Sequence, residues 1–95
     1  MLYCFSQAQY GCDELVDLLA SVTENDAVVL WQDGVLLAVK YPQYFVCCKG
    51  QCFVLETDIL ARNLTALLPK ESQLRLISLM DLVSITEQYF PQVAL

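Results

Sequence analysis

Short apolar runs alternate along the chain with segments whose apolar residues recur at helical spacing. Residues 2–6 form the first run, and the polar stretch containing Gly11 ends it, which predicts a strand followed by a loop. From residue 12 the spacing changes to i, i+3, i+4 and i+7, which predicts an amphipathic helix over residues 12–24. The apolar stripe of this helix is Leu15, Leu18, Leu19 and Val22.

Two uniformly apolar runs in the middle of the chain predict buried strands. Residues 27–31 and 52–55 show no alternation, which is typical of parallel strands covered on both faces. Residues 35–46 between them fit either a short buried helix or a strand, and we favour the helix. Thr57 stands where an N-cap is expected for a second short helix, and Asn63 is expected to end that helix in the left-handed conformation.

The C-terminal third repeats the alternation of strand and helix. Residues 74–77 predict a strand, and Pro91 closes the helix that follows. The predicted apolar stripe of this last helix is Leu79, Leu82, Val83, Tyr89 and Phe90. Strands alternating with helices predict an α/β fold, in which residues 1–95 form one small three-layer α/β/α domain around a mainly parallel sheet of four to five strands.

The carboxyl edge of such a sheet is where a functional site is expected. The loops at residues 7–11, 32–34 and 56–58 lie at this edge, and Gln32, Asp33 and Gly34 directly follow a buried strand. Asp33 is thus a candidate for contact with a ligand or a partner at an interface. The alternative is structural, with Asp33 capping the next segment and Gly34 supplying the turn.

Composition and charge favour a partner protein over nucleic acid or membrane. Of the 95 residues 57% are apolar and 17% are charged, so a monomer has few polar side chains with which to cover its surface. The net charge of −6 belongs to residues 1–39, which hold six acidic residues and no Lys or Arg, and this disfavours direct binding of nucleic acid. The longest apolar runs are five residues, too short to span a membrane, and no secretory signal is visible, so we expect a cytoplasmic protein.

The residue types exclude many kinds of chemistry. The chain has no His, which excludes His-containing catalytic triads and metal sites. Its three Gly are too few and too far apart for a glycine-rich phosphate loop, so no cofactor is expected. The reactive groups left are the five cysteines.

The cysteines differ in their expected surroundings. Cys4 and Cys52 lie in predicted strands and are expected to be buried, whereas Cys12 begins a helix beside two acidic residues that oppose a thiolate. Cys48, next to Cys47 and Lys49, is the better candidate for a reactive thiol, although an unreactive loop is the favoured interpretation. A zinc site at these cysteines is disfavoured because the chain has no C-x-x-C pairs.

Three segments in order resemble the DsrH/TusB family. They are the segment from Asp26 to Val35 with its Gln-Asp-Gly turn, the segment from Phe53 to Leu64, and the segment from Ile77 to Thr86. The resemblance covers most of the chain and weakens over residues 40–51. Some DsrH proteins carry a cysteine in the first helix, but an ungapped count from the turn places Leu18 at that position, so Cys12 does not inherit the role.

The resemblance implies a non-catalytic structural subunit of a cytoplasmic sulfur-relay complex like TusBCD. Such a complex is a heterohexamer with TusC-like and TusD-like subunits, accepts persulfide sulfur from a TusA-like carrier and passes it to a TusE-like carrier, toward 2-thiolation of the tRNA wobble uridine. The alternative is a free-standing sulfurtransferase that carries a persulfide on Cys48 or Cys12, because a persulfide relay needs a nucleophilic thiolate but no His.

Overall fold

The computed structural model describes residues 1–46, 48–67 and 74–95, which form five strands and five α-helices. The strands are β1 (Leu2–Phe5), β2 (Ala27–Leu30), β3 (Gln51–Leu55), β4 (Leu74–Ile77) and β5 (Gln92–Ala94). The α-helices are α1 (Cys12–Ala20), α2 (Leu36–Lys40), α3 (Pro42–Val46), α4 (Glu56–Ala61) and α5 (Leu79–Gln88). Two 3-10 turns span Gln32–Val35 and Thr65–Leu67.

The five strands form one parallel sheet in the order β4-β3-β2-β1-β5. The register places Leu2 beside Ala27 on one side and beside Gln92 on the other. The predicted α/β fold with a mainly parallel sheet of four to five strands is therefore confirmed.

The strand order decides which face of the sheet each helix covers. From β1 to β4 the chain steps across the sheet in one direction, and from β4 to β5 it returns to the opposite side of β1. Because such crossovers are right-handed, reversing the direction puts the intervening helix on the other face. The helices α1 to α4 accordingly pack on one face, and α5 covers the other face by itself among the described residues.

Each face of the sheet has its own apolar core. On the face of α1 to α4, the buried residues include Phe5, Leu15, Leu19, Val28, Leu30, Leu37, Phe45, Cys52, Val54 and Ile59. The second core, under α5, consists of Leu2, Ala27, Val29, Phe53, Leu55, Ile77 and Ile85. The uniform burial of β2 follows from its central position, since its alternate residues enter both cores.

The helical segments depart from the prediction at their ends. Residues 35–46 are mostly helical, as favoured, but form the end of a 3-10 turn and two short helices separated at Tyr41. Asn63 has the left-handed φ of 55°. However, α1 ends at Ala20, because the next amides bond three residues back, although Val22 stays buried at 2% exposure. Thr57 is not an N-cap, since β3 runs directly into α4 and Leu55 takes that position.

The predicted stripe of α5 is wrong in part. Ile85 is the buried residue of α5, and Leu82 and Tyr89 pack partly buried against the same core, whereas Leu79 and Val83 are 57% and 58% exposed. The helix ends at Gln88, ahead of Tyr89 and Phe90, and Phe90 is exposed. At its other end a capping box fixes the helix: the Ser78 hydroxyl accepts from the Asp81 amide, and the Asp81 carboxylate accepts from the Ser78 amide.

Candidate functional site

The turn at Gln32–Gly34 lies at the carboxyl edge of the sheet, where β2 ends. Gln32 has a left-handed φ of 53°, which is uncommon for a residue with a side chain. Its backbone N–H donates to Oδ2 of Asp58 at 2.6 Å, so a carboxylate from α4 holds this strained residue. The turn is therefore fixed by the neighbouring crossover as well as by its own sequence.

Gly34 is the point at which this turn contacts the end of β1. A Cβ atom at residue 34 would lie 1.9 Å from the carbonyl oxygen of Phe5, so no larger residue fits without moving the backbone. Gly34 is buried, and its φ is not in the left-handed region. The glycine is needed for close approach, whereas the left-handed residue of the turn is Gln32.

Asp33 makes an ion pair instead of a helix cap. Its Oδ1 lies 2.8 Å from Nη2 of Arg62, and Nη1 of Arg62 lies 3.5 Å from Oδ1 of Asp58. No side chain caps the 3-10 turn at Gln32–Val35, so the expected capping role of Asp33 is wrong. We call Asp33, Asp58 and Arg62 the carboxyl-edge cluster.

The carboxyl-edge cluster presents charges to solvent. Asp33 is 65% exposed, so its pair with Arg62 contributes at most about 1 kcal/mol to stability. Two carboxylates and one guanidinium at this position are suited to docking a polar surface. Asp58 and Arg62 were not predicted as site residues, although their i, i+4 spacing in a helix directly after a buried strand was a usable signal.

The loop at residues 7–11 is tied to the residue after β5. The Tyr10 hydroxyl donates to the backbone oxygen of Leu95 at 2.9 Å, and the Tyr10 ring meets Phe5 edge-on at 5.4 Å. Burial, as the largest cause, raises the pKa of Tyr10, and the nearby Glu14 acts in the same direction. This part of the edge is thus closed by an aromatic contact and has no charged pair among the described residues.

The cysteines lie in three different places. Cys4 packs against the core under α5, where burial raises the pKa of its thiol, and Cys12 is the first residue of α1. Cys48 and Cys52 lie at the opposite, amino edge of the sheet, where the Cys52 thiol donates to the backbone oxygen of Gly50 at 3.8 Å. Cys47 lies outside the described residues. Among the residues that are described, no group of three or more His, Cys, Asp or Glu could hold a metal ion.

A small cavity separates α5 from β1 and β2. Its volume is about 250 Å³, and its lining is mostly apolar and includes Cys4, Trp31, Leu82 and Val83. The indole N–H of Trp31 is buried and has no hydrogen-bond partner in the described part of the chain. The packing of α5 onto the sheet is therefore looser here than in the core around Ile85.

Three apolar side chains form an exposed surface on the outer side of α5. Leu79, Met80 and Val83 are 57%, 83% and 58% exposed, and we call them the α5 face. Leu79 and Met80 lie away from Ile85, which packs on the sheet, and Val83 also lines the cavity between α5 and the sheet. The first half of α5 thus exposes apolar side chains to solvent.

Comparison with known proteins assigns the family. The family model described as DsrH like protein matches residues 7–92. The chain belongs to the DsrH-like family. This confirms the family predicted from the three motif segments.

Relatives of this DsrH-like chain match it along its whole length. A protein of Haemophilus influenzae is 63% identical over 95 residues, covering 100% of both chains. Protein TusB of Yersinia pestis is 35% identical over 97 aligned positions and covers 99% of both chains. The solution structure of protein Tm0979 from Thermotoga maritima has a TM-score of 0.64 over 92% of both chains at 22% identity, and this likeness shows the fold.

No described helix of the DsrH-like chain is both long enough and apolar enough to cross a membrane.

Proposed function

We propose that this DsrH-like protein is a non-catalytic structural subunit of a TusBCD-like sulfur-relay complex. In that complex it would bind TusC-like and TusD-like subunits in the cytoplasm. The complex would take persulfide sulfur from a TusA-like carrier and pass it to a TusE-like carrier for 2-thiolation of the tRNA wobble uridine. Full-length similarity to protein TusB of Yersinia pestis supports the assignment.

The α5 face is the observation that carries the proposal. Leu79, Met80 and Val83 lie side by side on a regular, capped helix. Contiguous exposed apolar side chains on a small domain are typical of a surface that another protein covers. Since α5 also covers the second core, a partner seated there would add a further layer to an already ordered element.

The carboxyl-edge cluster supports a second, polar contact. Gln32, Asp33 and Gly34 lie in a turn held by Asp58 and close to Arg62, so their position is fixed before any partner binds. Preorganised charged groups contribute to the specificity and orientation of an interface. We propose these three residues as an interface contact of the subunit.

Assembly is tested by co-expressing the chain with TusC-like and TusD-like chains and measuring the complex by size-exclusion chromatography. Leu79→Glu places a charge in the α5 face, at a residue that is 57% exposed, and is expected to abolish co-elution. Val46→Glu is the matched control, because Val46 is similarly exposed at 50% but lies in α3 on the other face of the sheet.

A complex that forms equally well with Leu79→Glu would contradict the role of the α5 face. A wild-type chain that remains monomeric beside both partner chains would overturn the proposed function itself.

A further inference from the structure

A groove lies between α1 and α3, on the face of the sheet opposite α5. Its volume is about 340 Å³, and we call its mostly apolar lining the α1–α3 groove: Val16, Leu19, Ala20, Gln43 and Tyr44. Val16 is 45% exposed and Ala20 is also exposed, so the apolar side chains of the groove are open to solvent. We propose that the α1–α3 groove docks an amphipathic helix of a partner protein that carries Lys or Arg beside its apolar anchors.

Both walls of the groove are anchored in the core. Leu19 of α1 and Phe45 of α3 are 6% and 1% exposed, and both belong to the core on this face of the sheet. The Tyr44 ring stacks on Tyr41, with ring centroids 5.4 Å apart and an angle of 13° between the planes. The backbone N–H of Tyr44 also donates to the oxygen of Tyr41 at 3.2 Å. The shape of the groove is therefore set before a partner binds, which lowers the entropic cost of docking.

Two carboxylates border the groove along α1. Asp13 is three residues before Val16, and this spacing makes the two side chains neighbours on the helix surface. Asp17 has the same relation to Ala20. Both carboxylates are exposed, and in the described part of the chain neither of them forms an ion pair. The groove thus combines an apolar surface with a border of unneutralised negative charge.

The lysines of this region do not offset the charge of that border. Beyond Ala20 the groove adjoins a cleft of about 290 Å³, which Glu24 and Lys49 line together, so opposite charges share that cleft. Lys40 ends α2 and lies outside the lining of the groove. The other wall, α3, has the sequence Pro-Gln-Tyr-Phe-Val and contributes no charge. A cationic partner is therefore attracted to the α1 side of the groove.

The length of the apolar row suits a helix with two anchors one turn apart. Val16 and Ala20 are four residues apart, so the row extends for about 6 Å along α1. A helix laid in the groove between two others places its i and i+4 side chains against such a row. Lys or Arg residues next to these anchors would meet Asp13 and Asp17, whereas acidic residues in the same places would be repelled.

The first measurement is the binding of two fluorescently labelled peptides to the full-length chain, followed by fluorescence anisotropy. The Lys peptide is an amphipathic helix of leucine and lysine with about 15 residues, a length at which an isolated helix begins to be stable. The Glu peptide has glutamate in place of every lysine. The Lys peptide is expected to bind, more weakly as salt is added, and the Glu peptide is expected not to bind. Equal affinity for the two peptides, or no binding of either, would overturn the proposal.

The second measurement locates the bound Lys peptide by amide chemical shifts of the nitrogen-15-labelled chain. The largest changes are expected in α1 and α3, at residues that line the groove. Changes confined to α5, where Leu79 and Met80 are exposed, would place the peptide on the α5 face and refute the groove. Changes at the groove that appear without peptide, when the concentration of the chain is raised, would assign the groove to a second copy of the chain and also overturn the proposal.

Val16→Gln tests the apolar part of the groove. Glutamine favours a helix, so α1 is expected to remain folded, while the Lys peptide loses the apolar contact with one side chain and binds about tenfold more weakly. Val46→Gln is the matched control, because Val46 is 50% exposed in α3 but does not line the groove. Equal affinities of the two variants would contradict the role of Val16.

Asp17→Lys tests the charge. It is expected to weaken the Lys peptide about fivefold, the size of one exposed ion pair, and to strengthen the Glu peptide, a gain that a misfolded chain would not give. Glu87→Lys is the control, because Glu87 is an exposed acid on α5. If both variants bind the Lys peptide alike, the carboxylates of α1 do not recognise it. The groove does not depend on the proposed assembly, since a chain that fails to bind TusC-like and TusD-like subunits can still bind the Lys peptide.

Discussion

Gly34 is the residue on which the geometry of the carboxyl edge most directly depends. Its backbone occupies the space beside the carbonyl oxygen of Phe5, so the turn after β2 and the end of β1 are in van der Waals contact. The adjoining Gln32 takes the left-handed conformation that glycine would adopt more easily. In this turn the glycine serves packing, and a carboxylate from another helix holds the strained residue.

Replacing Gly34 with Ala is expected to destabilise the protein by about 3 kcal/mol, the upper part of the range for overpacking. The reason is that the added methyl group meets backbone atoms, which cannot rotate away. Gly11→Ala is the control, because its Cβ would have an ordinary contact of 3.8 Å with Glu14. Urea unfolding of both variants measures the difference, and equal losses would contradict this account of residue 34.

At the scale of elements, polar side chains link the turn after β2 to α4. The hydrophobic pattern of the sequence does not predict this link. Asp58 in α4 accepts from the Gln32 amide, and Arg62 bridges Asp58 and Asp33. The 3-10 turn and α4 are thus linked at their ends, side by side on the sheet edge. This link depends on which strands are neighbours, and strand order is a property of the folded chain.

Asp58→Ala is expected to lower the free energy of unfolding by about 1 kcal/mol, because it removes the acceptor for the Gln32 N–H. Asp58→Asn keeps an oxygen at this position and should retain most of the stability. Thermal unfolding of the two variants measures the contrast. If Asn were as damaging as Ala, the ion pair with Arg62 and not the hydrogen bond to Gln32 would be the stabilising contact.

The burial of β2 could be predicted from the sequence, whereas the buried side of α5 could be predicted only in part. The strand could be predicted because both of its faces enter cores, which leaves a continuous apolar run. The stripe of α5 was misassigned because the helix has apolar residues on its inner and its outer side, and periodicity alone cannot tell Ile85 from Val83. Cys52 was expected to be buried from its place in a uniformly apolar strand, and it is 3% exposed.

At the scale of the whole molecule, two cores share one sheet. The strands β1, β2 and β3 contribute residues to both cores, so neither face can lose its packing without exposing the backs of the same strands. We therefore propose that residues 1–95 form a single cooperative domain.

Unfolding in urea tests this proposal with two probes. Trp31, the one tryptophan of the chain, packs against the core under α5, so its fluorescence reports on that face. Far-ultraviolet circular dichroism reports on all helices, most of which lie on the other face. We expect coincident midpoints, as for a two-state protein. An earlier fluorescence transition would mean that the α5 side unfolds separately.

The strand order also places the apolar α5 face and the acidic side chains of α1 on opposite sides of the sheet. The exposed acidic residues Asp13, Glu14 and Asp17 lie on α1, on the face opposite α5. A neighbouring molecule meets exposed apolar side chains on α5, and on α1 it meets these acidic side chains beside the exposed Val16. A partner that covers the α5 face therefore leaves the acidic side of the molecule accessible to a second partner.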